Sequence, residues 1–588
     1  MGIQSAPLKR HRRHGASFVE VAVKYLSSRR TRTALAAGLA VAALAGQHAA
    51  RAQTSHKPIT HVIIIMQENR SFDSYFGTFP GADGIAPGTC LPVTPASMVG
   101  CVTPFHDPRD ENAGGGHTAG AAEVDLHNGI GRARMDGFLI EQAKEKLRCT
   151  SGPQPCAALR DGLARHDAVG YHTAEELPNY WAYAAKFVLQ DHMFEGVRGW
   201  SWPAHLDLVS EWAASCTNDA EASTCASSAD LPSPARDLQL PWANLFQLMD
   251  AHGVTWTYYL GAGQEPDCRD DEMTCDPVGQ TPGVPSIWNP VPYFASVKAQ
   301  GADYLAAHNR EVDKLLLDVK KGTLPQVSWV VPARIYSEHP PEGVTKGMEY
   351  VTSMVNAVMQ SRYWRDTAIF IAWDDWGGFY DHVPPPDVDT NATIHPIQGF
   401  GLRVPGLMIS AWAKPGMVDH SILSFDSYAT FIENLFMNSA RLDPAALGNP
   451  DNRPDIRDAL TSVRFPDGSK APIGRLIDEF DFNQTPLPPL VLSTHIPTGL
   501  VAVCNPDFRA ACKSPTVTIS WDPVAGPQVP GPFTYHVQRD GAELPQCVTT
   551  ATSCTDKPGS GAHLYRAYSV DQDGTTSPLS AAAEADEP

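Results

Sequence analysis

Residues 61–77 read His-Val-Ile-Ile-Ile-Met-Gln-Glu-Asn-Arg-Ser-Phe-Asp-Ser-Tyr-Phe-Gly. His61 to Met66 is a short apolar run rich in β-branched residues, the pattern of a strand buried on both faces. It stops at Gln67-Glu68-Asn69-Arg70. Open α/β sheets hold their ligands just beyond the carboxyl ends of strands, so this polar stop marks a candidate site. Glu68 and Asn69 offer hard oxygen donors for a divalent cation, and Arg70 a fork for an oxyanion. The same residues also suit a polar turn that caps a following helix.

Further apolar runs build the rest of a sheet: Phe187 to Leu189, Val327 to Val331, Ala368 to Trp373, and Arg403 to Ser410. The fourth-strand run, 368–373, ends in Asp374-Asp375-Trp376-Gly377-Gly378. Two adjacent buried carboxylates repel each other and are costly to desolvate, and a divalent ion removes that cost. Helical patterns follow at 206–214, 242–251, 304–320, 347–359 and 427–437. Residues 215–300, with two cysteine pairs and many prolines, are expected to form an insertion or lid over the sheet, with a strand at Val254 to Leu260. Ser201 stands where a helix begins, with Pro203 in the first turn. It is either a plain N-cap or a hydroxyl placed where free N–H groups stabilise a phosphoryl group.

These motifs resemble the bacterial phosphoesterase family, which holds secreted phospholipases C and acid phosphatases and is related to alkaline phosphatases. Glu-Asn-Arg-Ser-Phe-Asp at 68–73, Pro-Phe-His at 104–106, Met-Asp-Gly-Phe at 135–138, Glu-His-Pro-Pro at 338–341 and Gly-Gly-Phe-Tyr-Asp-His-Val at 377–383 occur in the family's order. The resemblance implies an α/β fold with an alkaline-phosphatase-like, mostly parallel central sheet flanked by helices. It implies one divalent ion (calcium, magnesium, manganese or iron) held by Glu68, Asn69, Asp374, Asp375 and Ser201. It also implies Ser201 as nucleophile, His205 as its companion, His339 as phosphate contact or general acid, and His106 and His117 as further phosphate or leaving-group contacts. The chain departs from the family pattern at four places. Trp200 replaces a common Pro, Ala204 a common Asn, Asp375 a Glu, and Trp376 a His.

The 588 residues carry a formal net charge of -20. Nine Lys/Arg and one acid fall in residues 1–52, so the remaining chain is strongly acidic and a poor partner for nucleic acid. Residues 1–52 read as an export signal of twin-arginine type: Ser28-Arg29-Arg30-Thr31-Arg32, an Ala-rich run, then Ala50-Arg51-Ala52. No later stretch approaches a membrane span, and the expected location is periplasmic or secreted. Twelve cysteines in six close sequence pairs fit an exported protein with local disulfides. Residues 53–495 form the expected catalytic domain and 496–512 a linker. Alternating strands in 513–588 read as an all-β sandwich of fibronectin type III kind. Three functions stay open: a phospholipase C acting on a phosphate ester such as a phospholipid, an acid phosphatase, and a non-catalytic secreted binding protein.

Overall fold

The computed structural model describes residues 58–93, 100–127, 133–144, 162–265, 278–387, 399–454, 457–504, 516–524, 531–559 and 561–587. The export-signal reading therefore lies outside the described residues, and residues 58–588 form one compact unit.

The apolar runs become a central eight-stranded sheet. In chain order its strands are β1 (His61–Gln67), β2 (Val188–Gln190), β3 (Trp256–Leu260), β4 (Asn309–Glu311), β5 (Val327–Val331), β6 (Thr367–Trp373), β7 (Gly406–Ser410) and β8 (Met417–Asp419). They lie side by side as β4-β3-β5-β1-β6-β7-β2-β8. Only β7 runs against its neighbours; the other pairs are parallel. The sheet is thus mostly parallel, as expected. β1 sits in its middle, and Val62 to Met66 are each 1% exposed. Burying each branched side chain stabilises the sheet by about 2 kcal/mol, which explains the unbroken apolar run.

Helices cover the sheet. Three matter below: α1 (Ser201–Ser210), α2 (Val344–Met359) and α3 (Phe425–Phe436). Val344, Met348, Val351 and Val355 of α2 share one apolar cluster with Ile63 to Ile65.

Two expectations need correction. The strand expected at Val254 to Leu260 forms as β3, but it belongs to the central sheet itself rather than to an insertion over it, pairing with β5 on one side and β4 on the other. The helix expected over 304–320 is divided into Ala302–His308 and Asp313–Lys321, with β4 between them. Asn309 causes the break: its amide donates to Asn289 (3.1 Å) and its backbone pairs with Tyr258 at the sheet edge. Edge pairing overrides the helical period there.

Beyond residue 500 the described residues form two antiparallel sheets. One contains Val501–Cys504, Val517–Ser520 and Ser553–Asp556; the other contains Thr534–Arg539, Gly561–Val570 and Ala583–Glu587 with the short Ala542–Glu543. Val517, Ile519, Trp521, Tyr535, Val537 and Tyr565 make a separate apolar cluster. This region joins the larger body through Arg109–Glu584 (2.7 Å), Lys346–Asp522 (2.8 Å) and an Arg566–Glu176 ion pair. Disulfides Cys90–Cys101, Cys216–Cys225 and Cys547–Cys554 are formed. The pairs 149/156, 268/275 and 504/512 involve residues outside the described set. Among the described residues, no helix is long and apolar enough to cross a membrane.

Candidate active site

β1 and β6 pair in parallel register from His61–Thr367 to Gln67–Trp373. The next residues, Glu68 and Asp374, leave the sheet side by side. The backbone N–H of Asp374 donates to the Gln67 carbonyl (2.9 Å), and that of Asn69 to Asp374 Oδ1 (2.9 Å). The other neighbour of β1 is β5, whose carboxyl end runs toward Ser337 and His339. The Ser337 carbonyl accepts from the Glu68 N–H (3.0 Å). Three adjacent strand ends therefore feed one locus, where an open α/β sheet places its ligands.

α1 brings in the hydroxyl. Trp200 is the N-cap and Ser201 the first helical residue, so the N-cap reading of Ser201 is off by one position. Its side chain turns inward instead: Ser201 Oγ donates to Glu68 Oε2 (3.1 Å) and lies 3.4 Å from Asp375 Oδ2. One helical turn on, His205 Nε2 is 3.1 Å from Glu68 Oε1 and 3.9 Å from Asp374 Oδ2. Its Nδ1 is 3.5 Å from the Tyr258 hydroxyl, a contact that leaves Nε2 available as a ligand when Nδ1 carries the proton. Glu68, His205 and Asp374 each place one ligand atom within 4.8 Å of the others.

The remaining expected residues divide. His117 Nε2 contacts Asn69 Nδ2 (2.9 Å), and its ring stands 6.0 Å from that of His339 and 6.4 Å from that of Trp376. His339 Nδ1 contacts the Pro340 carbonyl (2.8 Å), and its ring faces Trp288. Trp376, present where the family has His, thus forms a wall against His117 and donates its indole N–H to Asp125 (2.8 Å). His106 is elsewhere. It pairs with Glu176 (2.8 Å) and stacks near Tyr171, and Glu176 in turn binds Arg566 of the C-terminal strands. Arg70 is not an anion fork: its guanidinium covers Phe379 and donates to the Tyr75 hydroxyl (3.1 Å).

Glu68, Asn69, Ser201, His205, Asp374 and Asp375 are each at most 1% exposed. Three carboxylates so buried and so close are unfavourable without a cation. Asn69 Oδ1 and Asp374 Oδ2 are buried without a hydrogen-bond partner. The donor set fits a divalent ion. Asn69 takes a left-handed φ of 56°, and Gly377 and Gly378 take 60° and 67°, backbone settings that Asn and Gly tolerate best. A Cβ on Gly377 would stand 2.5 Å from the Asn69 carbonyl oxygen, so glycine is required for the two loops to meet.

Two features were missed in the sequence. His205 reaches ligand distance, which widens the metal choice beyond oxygen-only ions; its place one turn after Ser201 was the available signal. Glu338, adjacent to His339, is fully buried with φ 70° and gathers four donors: Tyr75 Oη (2.6 Å), Tyr180 Oη (2.7 Å), Gln67 Nε2 (3.0 Å) and Trp373 Nε1 (3.1 Å). Burial raises its carboxyl pKa against the opposing pull of these bonds.

Comparison with known proteins shows what the chain is similar to. Residues 59–437 match the phosphoesterase family. A non-hemolytic phospholipase C from Pseudomonas aeruginosa is 27% identical over 426 residues, 65% of this chain and 54% of that protein. A hemolytic phospholipase C from the same organism is 27% identical over 64% of this chain and 53% of its own length. Phospholipase C B of Mycobacterium tuberculosis is 25% identical over 63% of this chain and 72% of its own. The chain thus spans little more than half the length of the two Pseudomonas proteins. A solved alkaline phosphatase superfamily protein from Vibrio parahaemolyticus overlaps 68% of this chain and 76% of its own at 11% identity, with a TM-score of only 0.27. The chain belongs to the phosphoesterase family.

Proposed function

Starting from that membership, we propose that the protein hydrolyses phosphoric esters in the manner of a phospholipase C, with Ser201 as nucleophile. The observation that carries the reading is the Ser201 hydroxyl itself. It opens a buried helix and lies within 3.4 Å of carboxylates from two neighbouring strand ends. Such convergence also speaks against a degenerate, non-catalytic body.

Glu68, Asn69, Asp374 and Asp375, with Ser201 and His205, would hold one divalent ion. When bound, such an ion neutralises phosphate charge and favours the ionised serine. The chain's own groups supply the rest. Ser201 passes its proton to Glu68, and its oxygen attacks phosphorus in line with the departing ester oxygen. The free N–H groups of α1 face the phosphoryl oxygens. His339 protonates the departing oxygen, the alcohol leaves, and a phosphoseryl group remains. His339, now neutral, takes a proton from water; the resulting hydroxide attacks phosphorus, the Ser201 oxygen leaves with the proton held by Glu68, and the cycle closes.

The named relatives favour a phospholipid diester over a monoester, and formed disulfides support an exported protein. We read the C-terminal strands as a fibronectin type III-like module for adhesion or spacing, since no group of the candidate site comes from it. The test is the ion-loaded full chain against phosphatidylcholine and nitrophenyl phosphate. Ser201→Ala is expected to lower turnover by about 10³-fold or more, and acid quenching of the wild type to trap phosphate on Ser201. Retention of more than a few per cent of activity in Ser201→Ala removes Ser201 from the role. Turnover of the nitrophenyl ester alone makes the protein a phosphomonoesterase.

A further inference from the structure

We propose that Glu211, Glu433 and Asp458 form a second cation site, of calcium type and structural in role. One carboxylate oxygen of each lies within 4.8 Å of the others, and the residues are 2%, 0% and 4% exposed. They come from three separate places: Glu211 caps the end of α1, Glu433 lies in the last turn of α3, and Asp458 sits in the short 3-10 turn Arg457–Ala459. Each carboxylate has one oxygen fixed by a donor. The Asp458 N–H donates to Glu211 Oε2 (3.3 Å), Arg441 to Glu433 Oε2 (2.9 Å), and the Leu442 N–H to Asp458 Oδ2 (2.9 Å). The second oxygens, Glu211 Oε1, Glu433 Oε1 and Asp458 Oδ1, are buried and meet no donor N–H, while the Glu433 and Asp458 carboxyls bond to each other when one of them holds a proton.

The surroundings sharpen the need for positive charge. α1 and α3 both end here, and a helix C-terminus carries partial negative charge, the wrong place for an acid. Asp426, in the first turn of α3, adds negative charge toward Glu211. Arg453 approaches Glu211 but gives its hydrogen bonds to Asp451 and to the Ser210 and Ala243 carbonyls. Arg453 is matched to Asp451, and Arg441 meets the three acids at Glu433. Without a cation, burial first, then Asp458, pushes Glu433 up to about 10 and Glu211 well above the usual carboxylate range.

Two other acid clusters do not call for an ion. Asp73, Asp381 and His382 close around Arg403, which binds both aspartates directly (3.1 and 2.9 Å). His106, Glu175 and Glu176 close around Arg566. An all-carboxylate set suits a hard ion with flexible coordination, hence calcium. Bound there, it ties the far end of the Ser201 helix to α3.

The test uses the full chain carrying Asp374→Asn, which disables the catalytic cluster, and calcium as the probe. Equilibrium dialysis with radioactive calcium is expected to show one equivalent retained by this variant, and none after adding Glu433→Gln or Asp458→Asn. Millimolar calcium is expected to raise its thermal midpoint by several degrees, an effect lost with either addition. Where the added substitution prevents folding, terbium replaces calcium. Emission sensitised by Trp212, the neighbour of Glu211, is then expected, and is weakened in Trp212→Phe, with Trp242 packed behind it. Absence of calcium uptake by Asp374→Asn overturns the proposal, as does uptake unchanged by Glu433→Gln and Asp458→Asn, or terbium emission no weaker in Trp212→Phe. The cluster is then held by shared protons.

Discussion

Replacing Glu338 by Gln tests whether the buried carboxylate beside His339 is a structural hub. Its two oxygens accept four bonds, from Gln67 and Tyr180 at Oε1 and from Tyr75 and Trp373 at Oε2. An amide keeps one oxygen and turns an NH2 toward two former donors. The cheaper orientation keeps oxygen toward Trp373, whose indole N–H has no other role to take, and sets the NH2 against Tyr180 and Gln67. Tyr180 can rotate its hydroxyl, and Gln67 can flip to offer its Oε1, which has no partner, at the cost of its bond to the Tyr336 carbonyl (3.0 Å). One neutral bond is lost, the Tyr75 and Trp373 bonds weaken on losing the charge, and the Tyr180 and Gln67 bonds are replaced by neutral ones from the NH2, a cost of about 2–4 kcal/mol. Glu338→Ala strands all four donors and is expected to cost at least about 4 kcal/mol. The assay is urea unfolding monitored by Trp fluorescence, with unchanged slope required for comparison. Since the Ser337 carbonyl fixes the Glu68 N–H, kcat is also expected to fall in the Gln variant. A Gln variant within about 0.5 kcal/mol of wild type, or an Ala variant no less stable than Gln, refutes the reasoning.

Three further outcomes are expected. His205→Gln weakens retention of the divalent ion tenfold or more in a chelator competition; unchanged retention would assign His205 only to orienting Glu68. Gly378→Ala puts a Cβ 2.3 Å from the Gly115 carbonyl carbon at φ 67°, so a loss of about 3 kcal/mol or non-folding is expected, against which a wild-type unfolding curve would count. Glu176 is buried, which favours its neutral form, yet the His106 bond and nearby positive charges hold it down at about 2. A depressed acid contributes its stability above its ordinary value of 4.5 and loses it as pH falls toward 2, here about 3 kcal/mol. His106, raised by the same bond, contributes in the opposite sense and fades as pH rises through neutrality. Acid unfolding that is no steeper in wild type than in Glu176→Gln would remove this account.

Much of the centre was legible because burial writes itself into the sequence. β1, β5 and β6 are covered on both faces, so their runs are almost wholly apolar, with Ser328 the exception inside β5, and the polar residues that follow β1 and β6 mark where the sheet opens. Glu68, Asn69, Asp374 and Asp375 follow from that rule alone. What escaped depends on chain path rather than pattern. A histidine motif places His106 beside the others in order, but the chain carries it toward Glu176 and the C-terminal strands. Arg70 sits next to two candidate ligands, yet the chain turns it over Phe379. β4 is three residues long and paired on one side only, too short to disturb the helical period around it.

The register of β1 against β6 joins residues about three hundred positions apart; the Asn69–Asp374 bond spans 305. No shorter piece of the chain contains both halves of the centre. The candidate centre is therefore assembled only when this long-range pairing closes, and a nascent polypeptide that has not reached residue 375 lacks half of it however well its earlier parts have folded.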